Sequence, residues 1–485
     1  MTACDRAVRS VVVAGTGIVG LSAAIAFSRA LPTVEVTVLE TPTGSCDPTE
    51  QLLATLPTVH RFHAAIGFDE LRLVADGVAL HRLGTRFDHW SASGGSWFHT
   101  FAEHGRKVGA IPFHQVWLRA HARNRAAAFH AYSVAAVLAE AGRFAHPSDD
   151  PSSPLATYLY GLNLDPERYH ARLDQGAAGL SRLHGAIVDI ERREDGAVAA
   201  LVLDGGRRVM ADLFLDCTGP RSLILGRVSP GYEDWSDWLP CNHVAVESEP
   251  GGALLPFDRV TADGEGWTWT IPLPDRTLHA RVCGSLQEAG SGRVLSLQTG
   301  RHLAPWIHNV VGLGGAAVMP DPLHGAGLHL AHSAILRAIQ LLPGRDMHPL
   351  EVAEYNRRAR LEDERVRDYL ALHYARAGRT DTPFWRSLAE RELPEGLART
   401  LAQFKRRGRL PFHEEESFTA DSWLAALIGL GVLPEAADPT ALSVEEARTE
   451  HGMAAHAQRI GSLPARFPAY DRLVAGMRTK RMAAE

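Results

Sequence analysis

The chain has 485 residues, of which 45% are hydrophobic and 22% charged: enough apolar material for more than one buried core, and more length than one ordinary domain uses. A formal net charge of -6 supplies no basic field for a nucleic-acid backbone or an anionic membrane surface, so neither is expected as a partner. No apolar run reaches the roughly twenty residues that span a bilayer, and the N-terminus lacks the apolar region and cleavage site of an export signal, so a cytoplasmic location is expected.

Taken in chain order, the first elements are the most legible. Ser10-Val11-Val12-Val13-Ala14 reads as a strand, Gly15-Thr16-Gly17-Ile18-Val19-Gly20 as a glycine turn that opens an alanine-rich helix, and Val34 to Glu40 as a second strand. In such a βαβ unit, glycines between strand and helix let a pyrophosphate approach the helix amides and the positive end of its dipole. Glu40, twenty residues after Gly20, ends the second strand, where a carboxylate accepts both ribose hydroxyls and repels a 2'-phosphate. The combination predicts a bound dinucleotide. It does not choose between FAD and NAD.

Further along, the stretch from His146 to Pro154 reads as an exposed loop, and Glu191 to Gly196 followed by Ala197 to Leu203 as a hairpin, with β segments dominating the middle third. From about Pro349 the composition turns helical, with Arg, Glu, Leu and Ala at helical spacing and later helices broken by Gly and Pro. No repeat of fixed period is visible. The five cysteines, Cys4, Cys46, Cys217, Cys241 and Cys283, show neither CxxC nor CxxH spacing and are expected as reduced thiols, with no metal site.

Three segments bring in a family. The runs Ala211 to Ser222 and Val311 to Leu328, together with Gly266-Trp267-Thr268-Trp269-Thr270-Ile271-Pro272-Leu273, resemble the corresponding segments of flavin-dependent tryptophan halogenases and their aromatic-hydroxylase relatives. The last of the three carries the WxWxIP signature. Ala54-Thr55-Leu56-Pro57, Arg86 to Trp90, and Arg367-Asp368-Tyr369 running on to Trp385 extend the likeness in the same order along the chain.

The resemblance implies an α/β, mixed α+β fold with FAD as cofactor: a Rossmann-like FAD-binding domain over 1–75, 105–225 and 295–345, an inserted sheet-rich substrate domain over 76–104 and 226–294, and a helical C-terminal region over 346–485. It implies FAD contacts from Gly15, Thr16, Gly17, Ile18, Val19, Gly20, Glu40, Arg168, Val188, Asp216, Gly219, Gly314, Pro322, Gly325 and Gly327. It also implies that Trp267 and Trp269 face the substrate. The glycines at 325 and 327 precede an apolar helical run, so amides there are expected to point at the reactive face of the flavin.

The departures from the family matter as much. Five residues before Phe87, where halogenases carry a lysine that handles the hypohalous acid, stands Arg82, whose planar guanidinium forms no chloramine. Where they carry a glutamate in a Pro-Leu-Glu-Ser run, this chain has Pro322-Leu323-His324-Gly325, and His324 is the candidate base. Leu52-Leu53 replaces a Gly-Glu pair, and Gly315 stands where the hydroxylases have an aspartate. With the halogenation residues altered and the frame retained, the expected function is an FAD-dependent monooxygenase hydroxylating an electron-rich aromatic ring. Similar flavoproteins hydroxylate a tryptophan inside another protein during tryptophylquinone biogenesis. The alternatives are a tryptophan or phenol halogenase with altered lysine and base, and a non-catalytic flavin-binding partner. No second glycine fingerprint follows a strand, so reducing equivalents are expected from a separate flavin reductase or a transiently bound NAD(P)H.

Overall fold

Strand β1 (Ser10–Ala14) lies inside a six-stranded sheet, and its residues explain why: Val11 and Val13 on one face and Val12 and Ala14 on the other are all buried, as a strand covered on both faces of a parallel sheet requires. It pairs in parallel with β2 (Glu35–Glu40) on one side and with Leu213–Asp216 on the other. Ser181–His184 extends the sheet beyond β2, and Val310–Gly312 and Trp306–Ile307 extend it beyond Leu213–Asp216. Helix α1 (Ile18–Ala30) leaves the glycine turn with every residue from Ile18 to Phe27 buried. A helix so apolar on all sides must be packed on all sides. The carboxyl ends of β1, β2 and Leu213–Asp216 converge where the strand order reverses direction from β1, the usual place for a ligand crevice in such sheets.

The computed structural model describes residues 7–42, 47–92, 94–290 and 292–482; Cys4 and Cys46 lie outside the described residues. Cys217, Cys241 and Cys283 are free and buried. The chain divides into two units: Met1–Leu73, Leu164–Val244 and Arg293–Glu364 form the first, and Val74–Asn163, Ala245–Gly292 and Arg365–Glu485 the second. The expected hairpin is present in the first, where Ile187–Arg192 and Val198–Leu203 pair antiparallel and bury Val198, Leu201 and Leu203 against Phe214, Ile224 and Val310.

In the second unit five strands run in the order Arg276–Cys283, Gly266–Pro272, Asp258–Asp263, Gly84–Asp88, Ser96–Thr100, antiparallel except for the parallel pair Asp258–Asp263 with Gly84–Asp88. Several expected boundaries differ from this division, among them residues 226–244, expected with the substrate domain and clustering with the first unit. Residues 105–163, expected with the FAD domain, cluster with the second unit, and the C-terminal helices form no unit of their own. Ile460, Leu463, Tyr470 and Val474 need an apolar surface and find it on Leu80, Leu83, Val134 and Leu138, while the His81 amide donates to the Tyr470 hydroxyl at 2.7 Å. The mixed α/β class is as expected. Among the described residues, no helix is long and apolar enough to cross a membrane.

Candidate functional site

The glycine turn divides its labour. Gly15, at φ +114°, and Gly20 are packing glycines: a Cβ on the first would lie 2.3 Å from the Cys217 carbonyl oxygen and on the second 2.1 Å from that of Gly15. Gly17 instead faces a cavity of about 1130 Å³ whose walls include Thr16, Ile18, Glu40 and the turn Cys217 to Arg221. Glu40 reaches this cavity from the end of β2, with an oxygen 3.1 Å from His184 Nδ1. His170 Nε2 sits 2.7 Å from the Thr16 carbonyl and ties the turn to the helix Pro166–Gly176.

Asp216 does a different task from the one expected. One carboxylate oxygen accepts from the Thr218 amide at 3.0 Å and its hydroxyl at 2.6 Å, and the other from the Ile224 and Leu225 amides at 2.7 and 2.8 Å. With both oxygens spent on the backbone, Asp216 shapes the turn that carries Gly219 to the cavity and offers nothing to a cofactor. Val188 and Arg168 are not among the residues lining the cavity: Val188 is 53% exposed on a separate strand, and from the Arg168 helix Pro166, Glu167 and His170 line the wall.

Sequence reasoning missed two acidic residues just before Leu52-Leu53. Asp47 is the N-cap of a short turn, its Oδ1 accepting from the Thr49 amide at 2.8 Å and hydroxyl at 2.6 Å. Glu50 Oε1 accepts from the Val19 amide at 2.9 Å, at the start of α1. Both are buried, which raises both carboxyls; burial and the neighbouring Asp47 push Glu50 up to about 7. An acidic residue in a Pro-Thr-Glu turn looks like ordinary loop chemistry, and nothing in its spacing says which amides it will meet.

The late loop packs closely on the same segment. Gly325, at φ +74°, lies so near residue 54 that a Cβ would come within 1.6 Å of the Ala54 carbonyl oxygen, and a Cβ on Gly327 would meet Thr49 Cγ2 at 2.3 Å. Gly314 is similarly held against Val19, where a Cβ would approach Cγ2 to 2.9 Å. His324 between them is fully buried and held at φ +64°, a left-handed conformation that costs a non-glycine residue on the order of 1 kcal/mol and marks a position kept for a reason. The Gly325 amide, expected to face a flavin, donates instead to the Pro322 carbonyl at 2.9 Å, closing the turn that opens the helix Ala326–Gln340.

Behind the loop, that helix is anchored by a buried polar network. His329 Nδ1 lies 2.8 Å from the Thr58 hydroxyl, its Nε2 3.4 Å from Glu362, and Glu362 pairs with Arg337. Burial raises the Glu362 carboxyl, but the hydrogen bond from His329 and the charge of Arg337 win and hold it at about 2. Adjacent Asp363, buried and repelled by Glu362, is pushed up to about 7.

The second unit tells another story about its three expected site residues. Arg82 is fully buried: its Nε donates to Asp258 in an ion pair and its Nη2 to the Thr85 hydroxyl at 2.7 Å. Trp269 Nε1 donates to the other Asp258 oxygen at 2.9 Å, and Trp267 Nε1 to the Tyr374 hydroxyl at 2.8 Å. Both indoles are fully buried with their N–H groups used inside the unit, so they build its core together with the stacked Phe87 and Trp97 rings, 4.3 Å apart. Arg82 was expected as a catalytic group and stands here as a core ion pair. Asp258 is 176 positions away in sequence, which is why no local pattern announced it.

The donor set of the first unit fits a dinucleotide: a glycine cradle, the first amides of α1 and a carboxylate at the end of β2. Comparison with known proteins agrees. A family model described as Tryptophan halogenase matches residues 10–446. Tryptophan 6-halogenase SttH from Streptomyces toxytricini is 26% identical, over 94% of this chain and 97% of its own. Among solved structures, BrvH, a flavin-dependent halogenase from Brevundimonas sp. BAL3, matches with a TM-score of 0.91 at 33% identity, covering 97% of this chain and 99% of that one. Xcc4156, a flavin-dependent halogenase from Xanthomonas campestris, matches at 31% identity with the same TM-score and coverage. These likenesses favour the halogenase alternative over the hydroxylation expected from Arg82 and His324, and none of these relatives concerns tryptophylquinone biogenesis.

Proposed function

The chain belongs to the tryptophan halogenase family and uses FAD, and we propose from this that it halogenates an electron-rich aromatic ring. The observation that carries the reading is the family match over residues 10–446. Bound and reduced, FAD supplies the oxidising equivalents, drawn from dioxygen, that turn halide into an electrophile. The chain's own residues do the rest. Glu40 accepts the ribose hydroxyls, and the amides of Ile18 and Val19 hold the phosphates. His324 takes up, on an imidazole nitrogen, the proton that leaves the ring carbon as the carbon–halogen bond replaces the carbon–hydrogen bond. Arg82 acts through Asp258 as a positioning group that fixes the Trp269 indole. The aromatic substrate and a separate flavin reductase are the partners this reading requires.

Full-length protein with reduced FAD, air, chloride or bromide, and tryptophan, indole or a phenol tests it by mass spectrometry. The expected result is a halide-dependent product with the isotope pattern of chlorine or bromine. A second reading, hydroxylation, draws on one observation, the locked Arg82 where halogenases have lysine; gain of oxygen irrespective of halide would establish it in place of the first.

A further inference from the structure

Glu50 lies on the amides that a dinucleotide needs. Its carboxylate takes the Val19 amide at 2.9 Å and also a hydrogen bond from Ile18, and it fills the space above Gly17, where a Cβ would come within 2.3 Å of Oε2. Three residues earlier on the same turn, Asp47 makes a similar contact: the Gly315 amide donates to it, and a Cβ on Gly315 would lie 2.4 Å from its Oδ2. A carboxylate at a helix N-terminus uses the same donors and the same end of the dipole as a phosphate does. Two acceptors cannot both take one amide at full strength, and a pyrophosphate set beside two buried carboxylates would bring like charges within contact.

We propose that Glu50 and the pyrophosphate of FAD are alternative occupants of the first amides of α1, so that cofactor binding must expel Glu50. The proposal rests on FAD as the cofactor and adds to it an internal competitor. It explains why an acidic side chain is buried on a glycine-rich phosphate cradle, where it serves no visible catalytic end. It also couples binding to protons. The groups that bear on Glu50 are Asp47 on its own segment and Cys217 at the end of Leu213–Asp216, the thiol itself driven well up by burial and by the charges of Asp216 and Glu50. His170, on Pro166–Gly176, is turned to the Thr16 carbonyl, and Arg221 lines the same cavity.

Held in place, Glu50 titrates near 7; expelled into water it returns towards its ordinary 4.5. The state without cofactor therefore binds the extra proton, so affinity falls as pH drops below about 7 and is level above it.

Calorimetric titration of the flavin-stripped full chain with ADP-ribose, whose pyrophosphate does not titrate between pH 5.5 and 8, and with adenosine tests the competition, at about 25 °C. Glu50→Ala should bind ADP-ribose about tenfold more tightly than the parent at pH 7, with adenosine, which reaches only Glu40, unchanged. Glu50→Gln keeps an acceptor without the charge, and its ADP-ribose affinity should lose the fall between pH 7 and 5.5. ADP-ribose affinity equal or weaker in Glu50→Ala would overturn the proposal, as would an equal gain for adenosine, which signals loosening of the whole cavity. If the parent binds neither ligand, the dinucleotide site itself fails and the competition with it.

Discussion

The dinucleotide cavity of the first unit and the tryptophan core of the second were both marked by family motifs, yet they use polar groups in opposite ways. Around Gly17 the Val19 amide is met by the Glu50 carboxylate, which on the competition proposed above a phosphate would displace. Around Arg82 each donor described is met by a partner in a dry core: Asp258, Thr85, and through Asp258 the Trp269 indole. A ligand site needs partners that can be exchanged for the ligand. A core needs partners that cannot, because an ion left alone in low dielectric costs several kcal/mol.

The largest effect should come from breaking the second arrangement. Arg82→Ala strands the Asp258 carboxylate and should cost about 3–5 kcal/mol in chemical denaturation, whereas the double replacement Arg82→Met with Asp258→Leu should recover most of it. If Arg82→Ala is as stable as the parent, the ion pair is not the core element described. Next, Gly325→Ala sets a Cβ against the Ala54 carbonyl in a left-handed conformation and should cost about 3 kcal/mol, read as a lower melting temperature and weaker flavin retention.

His324→Asn tolerates the positive φ but removes the base, and should lower kcat about 100-fold with KM little changed; an equal loss in KM would instead indicate a binding role. The smallest effect sharpens the contrast within the first unit, between two neighbours on one helix. The folded Asp363 carboxyl, at about 7, lies above its ordinary 3.8, so its stabilising contribution is complete below 3.8 and is lost as pH rises from there to about 7. Asp363→Asn should therefore gain at least roughly 1 kcal/mol more on the parent at pH 8 than at pH 5, and nothing below pH 3.8. Glu362, held at about 2 below its ordinary 4.5, has the opposite sign, losing its contribution only as pH falls from about 4.5 towards 2.

Much of the first unit was readable from residues close together in the chain. Ser10 to Glu40 spell strand, glycine turn, helix and strand because backbone geometry is a local property, and the place of Glu40 at the end of β2, on the cavity wall, follows from its distance along that unit. The hairpin at Glu191 to Leu203 was legible for the same reason. The placing of the C-terminal helices was not, because an amphipathic face says only that it must be covered. Ile460 and Val474 are covered by residues some three hundred positions earlier.

The sequence by itself determined a dinucleotide-binding βαβ unit and a halogenase-like frame, since short motifs of glycine, tryptophan and proline record local backbone demands. Only the tertiary structure decided what the charged residues do. It gave Arg82 to Asp258, Asp216 to its own turn and Glu50 to the start of α1, because the energy of a buried charge depends on the partner that folding brings to it, not on its neighbours in the chain.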